Sequence, residues 1–268
     1  MRTSPESPER PQIPVLVFHK VDPRFEWGIT RVYPAQFRTV LHSLKALGYE
    51  TVSIHSALDS TDRLPEKPVV ITFDDSYASI FQYALPILQE LQYTATIFVI
   101  TGFAGTLNEW DVNLGGIRFR HLSWKEIRHL SNIGFEIGSH TVHHPDLTRV
   151  SVNQARKELI ESKDRLEHEI NKPVSLISFP FGRYNDTVIQ ICKETGYQHG
   201  CGFWTQKKYQ PFVFERKAYY LFDNRWTLHA KLNHHWGRPF EELKLRLVNF
   251  CSHGTSLVKP AKLNRYHH

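Results

Sequence analysis

The chain has 268 residues, 41% of them hydrophobic and 22% charged, a globular balance that excludes a disordered or fibrous protein. No stretch approaches the roughly 18 consecutive apolar residues of a membrane span. Three cysteines without C-x-x-C spacing, Cys192, Cys201 and Cys251, speak against a disulfide framework or a cysteine zinc site. The net charge of +6 sits at the end, where eight Lys or Arg from Arg225 onward stand against Glu241 and Glu242. The body up to residue 224 is therefore neutral. That argues against nucleic-acid recognition, whose basic stripe lies on the folded body, and leaves the basic C-terminal region for contact with an anionic surface.

Residues 1–12, rich in Pro, Ser, Glu and Arg, predict a disordered leader. They hold no apolar export segment, so the chain as written is expected in the cytoplasm, with an extracytoplasmic site requiring a different start. Residues 14–18 (PVLVF) form a continuous apolar run, the mark of a strand buried on both faces, and lead directly into His19. Residues 35–47 place Phe37, Val40, Leu41, Leu44 and Leu47 at helical spacing, and Gly48 supplies the stop.

The alternation continues with strands at 50–54 and 68–73 (PVVITF), a helix at 77–92, a strand at 94–100 and a helix at 123–133. Ser123 and Glu126 open that helix as a capping box, each side chain satisfying a free backbone N–H of the other's segment. A strand at 135–138, a helix at 152–170 behind Ser151, a strand at 174–179, a helix at 186–195 closed by Gly196 and a strand at 197–203 follow. Residues 225–250 read as terminal helices with Phe240, Leu243, Leu247 and Phe250 on one face, and residues 251–268 as a polar, basic tail. Strands separated by helices pair in parallel through right-handed crossovers. The expectation is one α/β domain over residues 13–250, its sheet open or closed into a barrel. Periodicity does not choose between the two.

Four polar clusters follow four of these strands. Asp74 and Asp75, in Thr72-Phe73-Asp74-Asp75-Ser76, are adjacent carboxylates of which one can bind a metal while the other holds a proton or a water. The alternative is that Asp75 or Ser76 caps the next helix. His140 and His144 stand four apart after the strand at 135–138, and one helical turn would project both imidazoles to the same side. His143 falls outside that spacing and is expected beside them or exposed. Ser178 to Asn185 (SFPFGRYN) and His19 make the third and fourth clusters. Parallel strands bring all four to one face, where barrels and open α/β sheets build active sites. Two imidazoles and one carboxylate with an open position describe a catalytic metal site, and a second carboxylate beside it serves as general base. With no G-x-S-x-G elbow and no Gly-rich phosphate loop, metal-assisted hydrolysis is the reaction class that remains.

These segments resemble the signatures of the polysaccharide deacetylase family, carbohydrate esterase family four, namely T-F-D-D-[GS], H-[ST]-x-x-H and R-x-P-[YF]-G, across residues 13–220. The resemblance implies a distorted (β/α) barrel of seven or eight parallel strands and removal of N- or O-linked acetyl groups from a glycan. It also implies one divalent metal, zinc or a similar ion such as Co2+ or Ni2+, on Asp75, His140 and His144, with Asp74 as the base. The backbone N–H of Phe181 would stabilise the oxyanion, with Pro180 and Tyr184 beside it at the substrate.

Two departures matter. Ser178 stands where the family carries the arginine that orients the base, and Arg216 and Arg183 are the candidate replacements. The family's C-terminal Leu-x-His-Asp segment, which supplies the general acid, has no copy; Phe250-Cys251-Ser252-His253 is nearest and lacks the following acid. Residues 13–21 (IPVLVFHKV) look like that segment moved to the N-terminus, as in the circularly permuted branch that includes poly-N-acetylglucosamine deacetylases. His19 is thus the candidate acid, ahead of His253. Trp110, Tyr184, Trp204 and Trp226 offer ring faces for sugar stacking, and Asp111 lies in a long loop over 105–120. Two other readings stand beside this one: a non-catalytic glycan-binding member of the family, and an amidohydrolase acting on a small acylated amine. No residue pattern speaks to oligomeric state.

Overall fold

The computed structural model describes residues 13–26, 30–58, 63–108, 118–203 and 210–232. The proposed leader and tail, Trp110, Asp111, Trp204, His253 and the apolar face from Phe240 to Phe250 lie outside the described residues. In chain order the elements are β1 (Val15–Phe18), β2 (Lys20–Val21), β3 (Arg31–Val32), α1 (Pro34–Ala46), β4 (Glu50–Thr51), α2 (Ile54–Leu58) and β5 (Pro68–Phe73). A π-helical turn (Ile80–Ala84) leads into α3 (Leu85–Glu90), followed by β6 (Thr96–Val99), α4 (Trp124–Asn132), β7 (Glu136–Ser139) and α5 (Val152–Ile170). β8 (Leu176–Ser178), α6 (Asp186–Glu194), β9 (His199–Phe203), β10 (Val213–Ala218) and α7 (Arg225–Leu232) complete the described series.

Strand pairing decides between open sheet and barrel. β5 through β10 pair in parallel one after another, and β1 closes the ring by pairing with β10 on one side and β5 on the other. Seven strands make a closed parallel barrel. The two residues of β4 pair at Pro68 and Val69, on the β5 edge that β6 occupies further along at Thr72 and Phe73. First and last strands are thus neighbours in space, which is why the N-terminal strand can complete a site otherwise built from later ones.

Period-two alternation sorts each strand's residues into barrel lumen and helix-facing shell. Leu16, Phe18, Ile71, Phe73, Ile97, Val99 and Ile177 belong to the large core under the helices. Val15, Val70, Phe98, Leu176 and Cys201 form a separate buried cluster inside the barrel floor. Gly138 belongs to this packing: a Cβ there would sit 2.5 Å from the Phe98 ring, so the ring fills the lumen only because β7 carries no side chain at that point. Above the floor, the alternation presents Val17, Thr72, Ser178 and Arg216, and above those His19, Asp74 and His140. The chemistry is the top layer of the core.

Helix ends follow the local signals. Ser123 and Glu126 make the reciprocal capping box, and Arg120 adds two hydrogen bonds of 2.8 Å to the Glu126 carboxylate. Burial raises the Glu126 carboxyl, but Arg120 and the Ser123 N–H and hydroxyl outweigh it and bring it down to about 2. A depressed carboxyl stabilises the fold above its ordinary value of 4.5 and loses that contribution as pH falls through its folded value near 2. Glu126→Gln keeps the cap geometry and loses the charge, so it should melt lower than the parent at pH 6, by less than about 1 kcal/mol because the pair is partly solvated. The two melting curves should converge as pH approaches 2 in a thermal titration.

Several predicted elements differ in detail, among them the strands expected from 94 and 197, which begin at Thr96 and His199. The helix expected at 77–92 opens as a π turn, with the Leu85 N–H bonded to the Ile80 carbonyl. Pro86 lacks the N–H that Gln82 would need for an ordinary turn, and the wider register accommodates the gap. The strand expected at 50–54 stops at Thr51, because Ser53 caps Ser56 and the Glu136 carboxylate accepts both the Ile54 and His55 N–H groups, starting a helix instead. The strand expected from 174 begins at Leu176.

Candidate active site

Asp75, His140 and His144 gather at the C-terminal rim of the barrel, with one ligand atom from each lying within 4.8 Å of the others. The Asp75 carboxylate oxygen is 3.4 Å from His140 Nε2 and 3.6 Å from His144 Nε2. All three residues are buried. His140 donates its Nδ1–H to the Ser178 carbonyl at 2.7 Å, since a carbonyl can only accept, and this leaves the Nε2 lone pair facing Asp75.

The segment carrying the histidines is a tight loop rather than the single helical turn expected from the spacing. Thr141 and His144 adopt left-handed backbone, with φ of 68° and 59°. Ser139 Oγ accepts the Thr141 N–H, Thr141 Oγ1 accepts the His144 N–H, and the buried Glu158 carboxylate accepts the N–H groups of Val142 and His143. Glu158 also pairs with His143 Nδ1 at 2.8 Å, and the His143 side chain is half exposed. Glu158, on α5, went unread in the sequence because it sits within a helix face whose other charges are solvated.

Asp74 lies beside this cluster and is held from below. Arg216 donates Nη1 and Nη2 to its two carboxylate oxygens at 2.7 and 2.8 Å, while also donating to Ser178 Oγ at 2.8 Å and Thr72 Oγ1 at 3.2 Å. Arg216 is fully buried and stands over the Phe98 ring at 5.3 Å. Burial raises the Asp74 carboxyl, yet the Arg216 guanidinium outweighs it and keeps Asp74 ionised. Ser178, short and hydroxyl-bearing, leaves the room through which the fork from β10 reaches the carboxylate. Arg183 does not share this role: it pairs with Asp146 at 2.8 Å.

The electrostatics of the site ask for a cation. Asp74 is neutralised by Arg216, whereas Asp75 is a buried carboxylate facing two imidazoles. Burial opposes a charge on each imidazole; Asp74 and Asp75 draw His140 upward, and His140 in turn helps push His144 down to about 3. A buried carboxylate with two nitrogen lone pairs aimed at it is a donor set that fits zinc or a similar divalent ion. His19 faces the same group of charges; burial lowers its basicity and Asp75 and Asp74 oppose that. Its Nδ1 is buried without a hydrogen-bond partner among the described residues.

Pro180, Phe181 and Gly182 form a short 3-10 turn in which Phe181 is left-handed, with φ of 59°, and its ring meets the His144 ring edge-on at 4.7 Å. Tyr184 is buried, packed against Phe179 at 5.1 Å and over Gly202, which corrects the expectation that it presents a face to sugar. Trp226 is 84% exposed on α7. His121 joins the site without having been read in the sequence: it is fully buried, accepts the Tyr77 ring in a stack at 4.9 Å, and bonds through Nδ1 to the Asp75 carbonyl at 2.6 Å. Among sixteen histidines it has no ligand-like spacing to any other, so no local signal marks it.

The polysaccharide deacetylase family model matches residues 61–200 of the chain. The Bacillus subtilis (strain 168) protein YxkH is 30% identical over 196 residues, covering 72% of this chain and 65% of that one. The poly-beta-1,6-N-acetyl-D-glucosamine N-deacetylase of Staphylococcus aureus (strain MSSA476) is 27% identical over 180 residues, covering 63% of this chain and 60% of that one. The chain therefore spans less than two thirds of the length of these curated relatives. Among solved structures, the deacetylase PplD of Streptococcus pyogenes, in complex with acetate, superposes with a TM-score of 0.71 at 27% identity, covering 82% of this chain and 98% of that one.

Proposed function

Because the chain belongs to the polysaccharide deacetylase family, we propose that it hydrolyses N-acetyl groups of a polymer of N-acetylglucosamine, of the kind that the name of the Staphylococcus aureus relative carries. The observation that carries this reading is the shared rim on which the Asp75, His140 and His144 donor set lies beside an ionised, arginine-held Asp74, with His19 facing both. Asp75, His140 and His144 would hold the divalent ion, which when bound polarises the acetyl carbonyl as a Lewis acid.

The residues of the chain supply the proton movements. Asp74, fixed by two hydrogen bonds from Arg216, accepts a proton from the water that attacks the acetyl carbon. The Phe181 N–H is the backbone donor proposed for the oxyanion that develops, a type of contact whose loss costs about 3 kcal/mol of barrier. His19 delivers a proton to the sugar nitrogen as the C–N bond breaks, so that acetamide and water become amine and acetate. Arg216 holds Asp74 in place and keeps it charged until it takes that proton.

His140→Ala tests the donor set directly. The variant should lose both bound metal, measured by elemental analysis of the purified protein, and acetate release from β-1,6-linked N-acetylglucosamine oligomers. Metal retained at parental stoichiometry in that variant would rule out His140 as a ligand. No described helix is long and apolar enough to cross a membrane.

A further inference from the structure

We propose that His121 is a positioning residue for the Asp75 carboxylate, holding by its Nδ1–H the strained turn that aims this carboxylate at His140 and His144. The inference rests on the reading of Asp75, His140 and His144 as the metal-holding set. Asp75 and Ser76 both have left-handed backbone, with φ of 64° and 50°. Residues in such conformations cost about 1–3 kcal/mol each and persist where surrounding contacts over-determine them.

Three contacts from one short segment provide that hold. The Leu122 N–H donates to the Ser76 carbonyl at 2.7 Å, and the Ala78 N–H donates to the Arg120 carbonyl at 2.8 Å. Between them the His121 ring donates to the Asp75 carbonyl at 2.6 Å. Of the three, only the last is made by a side chain, and only the last reaches the residue whose carboxylate belongs to the metal-holding set. The imidazole is itself fixed, stacked on Tyr77, whose hydroxyl accepts the Asn108 amide at 2.9 Å, and tilted against Phe103 at 5.8 Å.

The other nitrogen identifies what the ring is for. His121 is fully buried and its Nε2 has no hydrogen-bond partner among the described residues. A buried polar atom left unpaired costs roughly 1–3 kcal/mol, so an apolar ring of the same shape would pack at least as well in this slot. What an apolar ring cannot do is donate to the Asp75 carbonyl. Neighbours that orient metal ligands in this way typically account for 10–100-fold in metal affinity.

The test uses the full chain, stripped of metal and titrated with Zn2+ by calorimetry, alongside thermal unfolding of the stripped protein. His121→Phe removes the unpaired Nε2 but also the donor to the buried Asp75 carbonyl, so the two effects on stability oppose and the stripped protein should stay folded at the assay temperature, yet bind Zn2+ about 10–100-fold more weakly. His121→Asn places an amide N–H near the position of Nδ1 and should bind Zn2+ within about threefold of the parent. His121→Gln carries its donor one bond further out and should resemble the Phe variant. Parental affinity in His121→Phe, or equal affinity in the Asn and Gln variants, overturns the proposal. The Asn and Gln comparison decides the matter if the Phe variant does not fold. A parent chain that itself takes up no Zn2+ would instead overturn the metal-holding reading, so the two failures are distinguishable.

Discussion

Asp74→Asn should lower the rate of acetate release by about 10²- to 10⁴-fold, the range expected for losing a general base, while leaving metal content unchanged. The amide keeps the shape of the carboxylate and can still accept a hydrogen bond from Arg216. It cannot take a proton from water. Asp75, His140 and His144 are untouched by the change, so the elemental stoichiometry should match the parent. The substitution also leaves the fully buried Arg216 charge without its counter-ion, so stability must fall as well. Rates are therefore to be compared at a temperature where circular dichroism shows both proteins folded. Activity within a factor of two of the parent under those conditions would remove Asp74 from the role of base.

Arg216→Met should be the most destabilising single change at the site, costing about 3–5 kcal/mol in urea unfolding, because it leaves the Asp74 carboxylate buried and unpaired. The methionine fills similar volume but offers no donor to Asp74, Ser178 or Thr72, each of which now accepts from the guanidinium. Without the guanidinium, burial loses its chief opponent and draws the Asp74 carboxyl up toward the neutral form, with only His140 and His19 still opposing it. Turnover near neutral pH should fall with it. The double variant Asp74→Asn with Arg216→Met should be less destabilised than the two single effects added, since each partner is costly mainly when left alone. Additive free energies would mean the pair is not coupled.

Much of this arrangement was legible in the sequence, and the reason is the alternation of the strands. Because β1 reads Val15, Val17, His19 on its lumen face and β5 reads Val70, Thr72, Asp74, a period of two carries the apolar floor directly up into the polar rim. His140 follows Gly138 by the same rule. Contacts between segments remote in sequence were not legible. Closure of the barrel depends on β1 pairing with β5 and β10, and neither strand carries a local mark of its partner. Arg216 and Arg183 were equal candidates for Asp74 until the register of β10 brought Arg216 beneath it and Asp146 engaged Arg183.

Loop conformation was the other blind spot. The His140 to His144 spacing suggested a helical turn, whereas side-chain acceptors from Ser139, Thr141 and Glu158 fold the segment around two left-handed residues. Such acceptors compete with helical bonding locally, and nothing in a spacing rule anticipates them. His121 was invisible for a related reason, its role being set by one carbonyl forty-six positions earlier.

The most direct test of the account is acetate release by the purified chain from β-1,6-linked N-acetylglucosamine oligomers, measured before chelation, after chelation, and after stepwise return of Zn2+. One divalent ion per chain, loss of release on chelation, and recovery that saturates at one equivalent are the expected results. Release that persists in chelator with metal shown to be absent, or one bound ion with no release across oligomer lengths, would contradict the account.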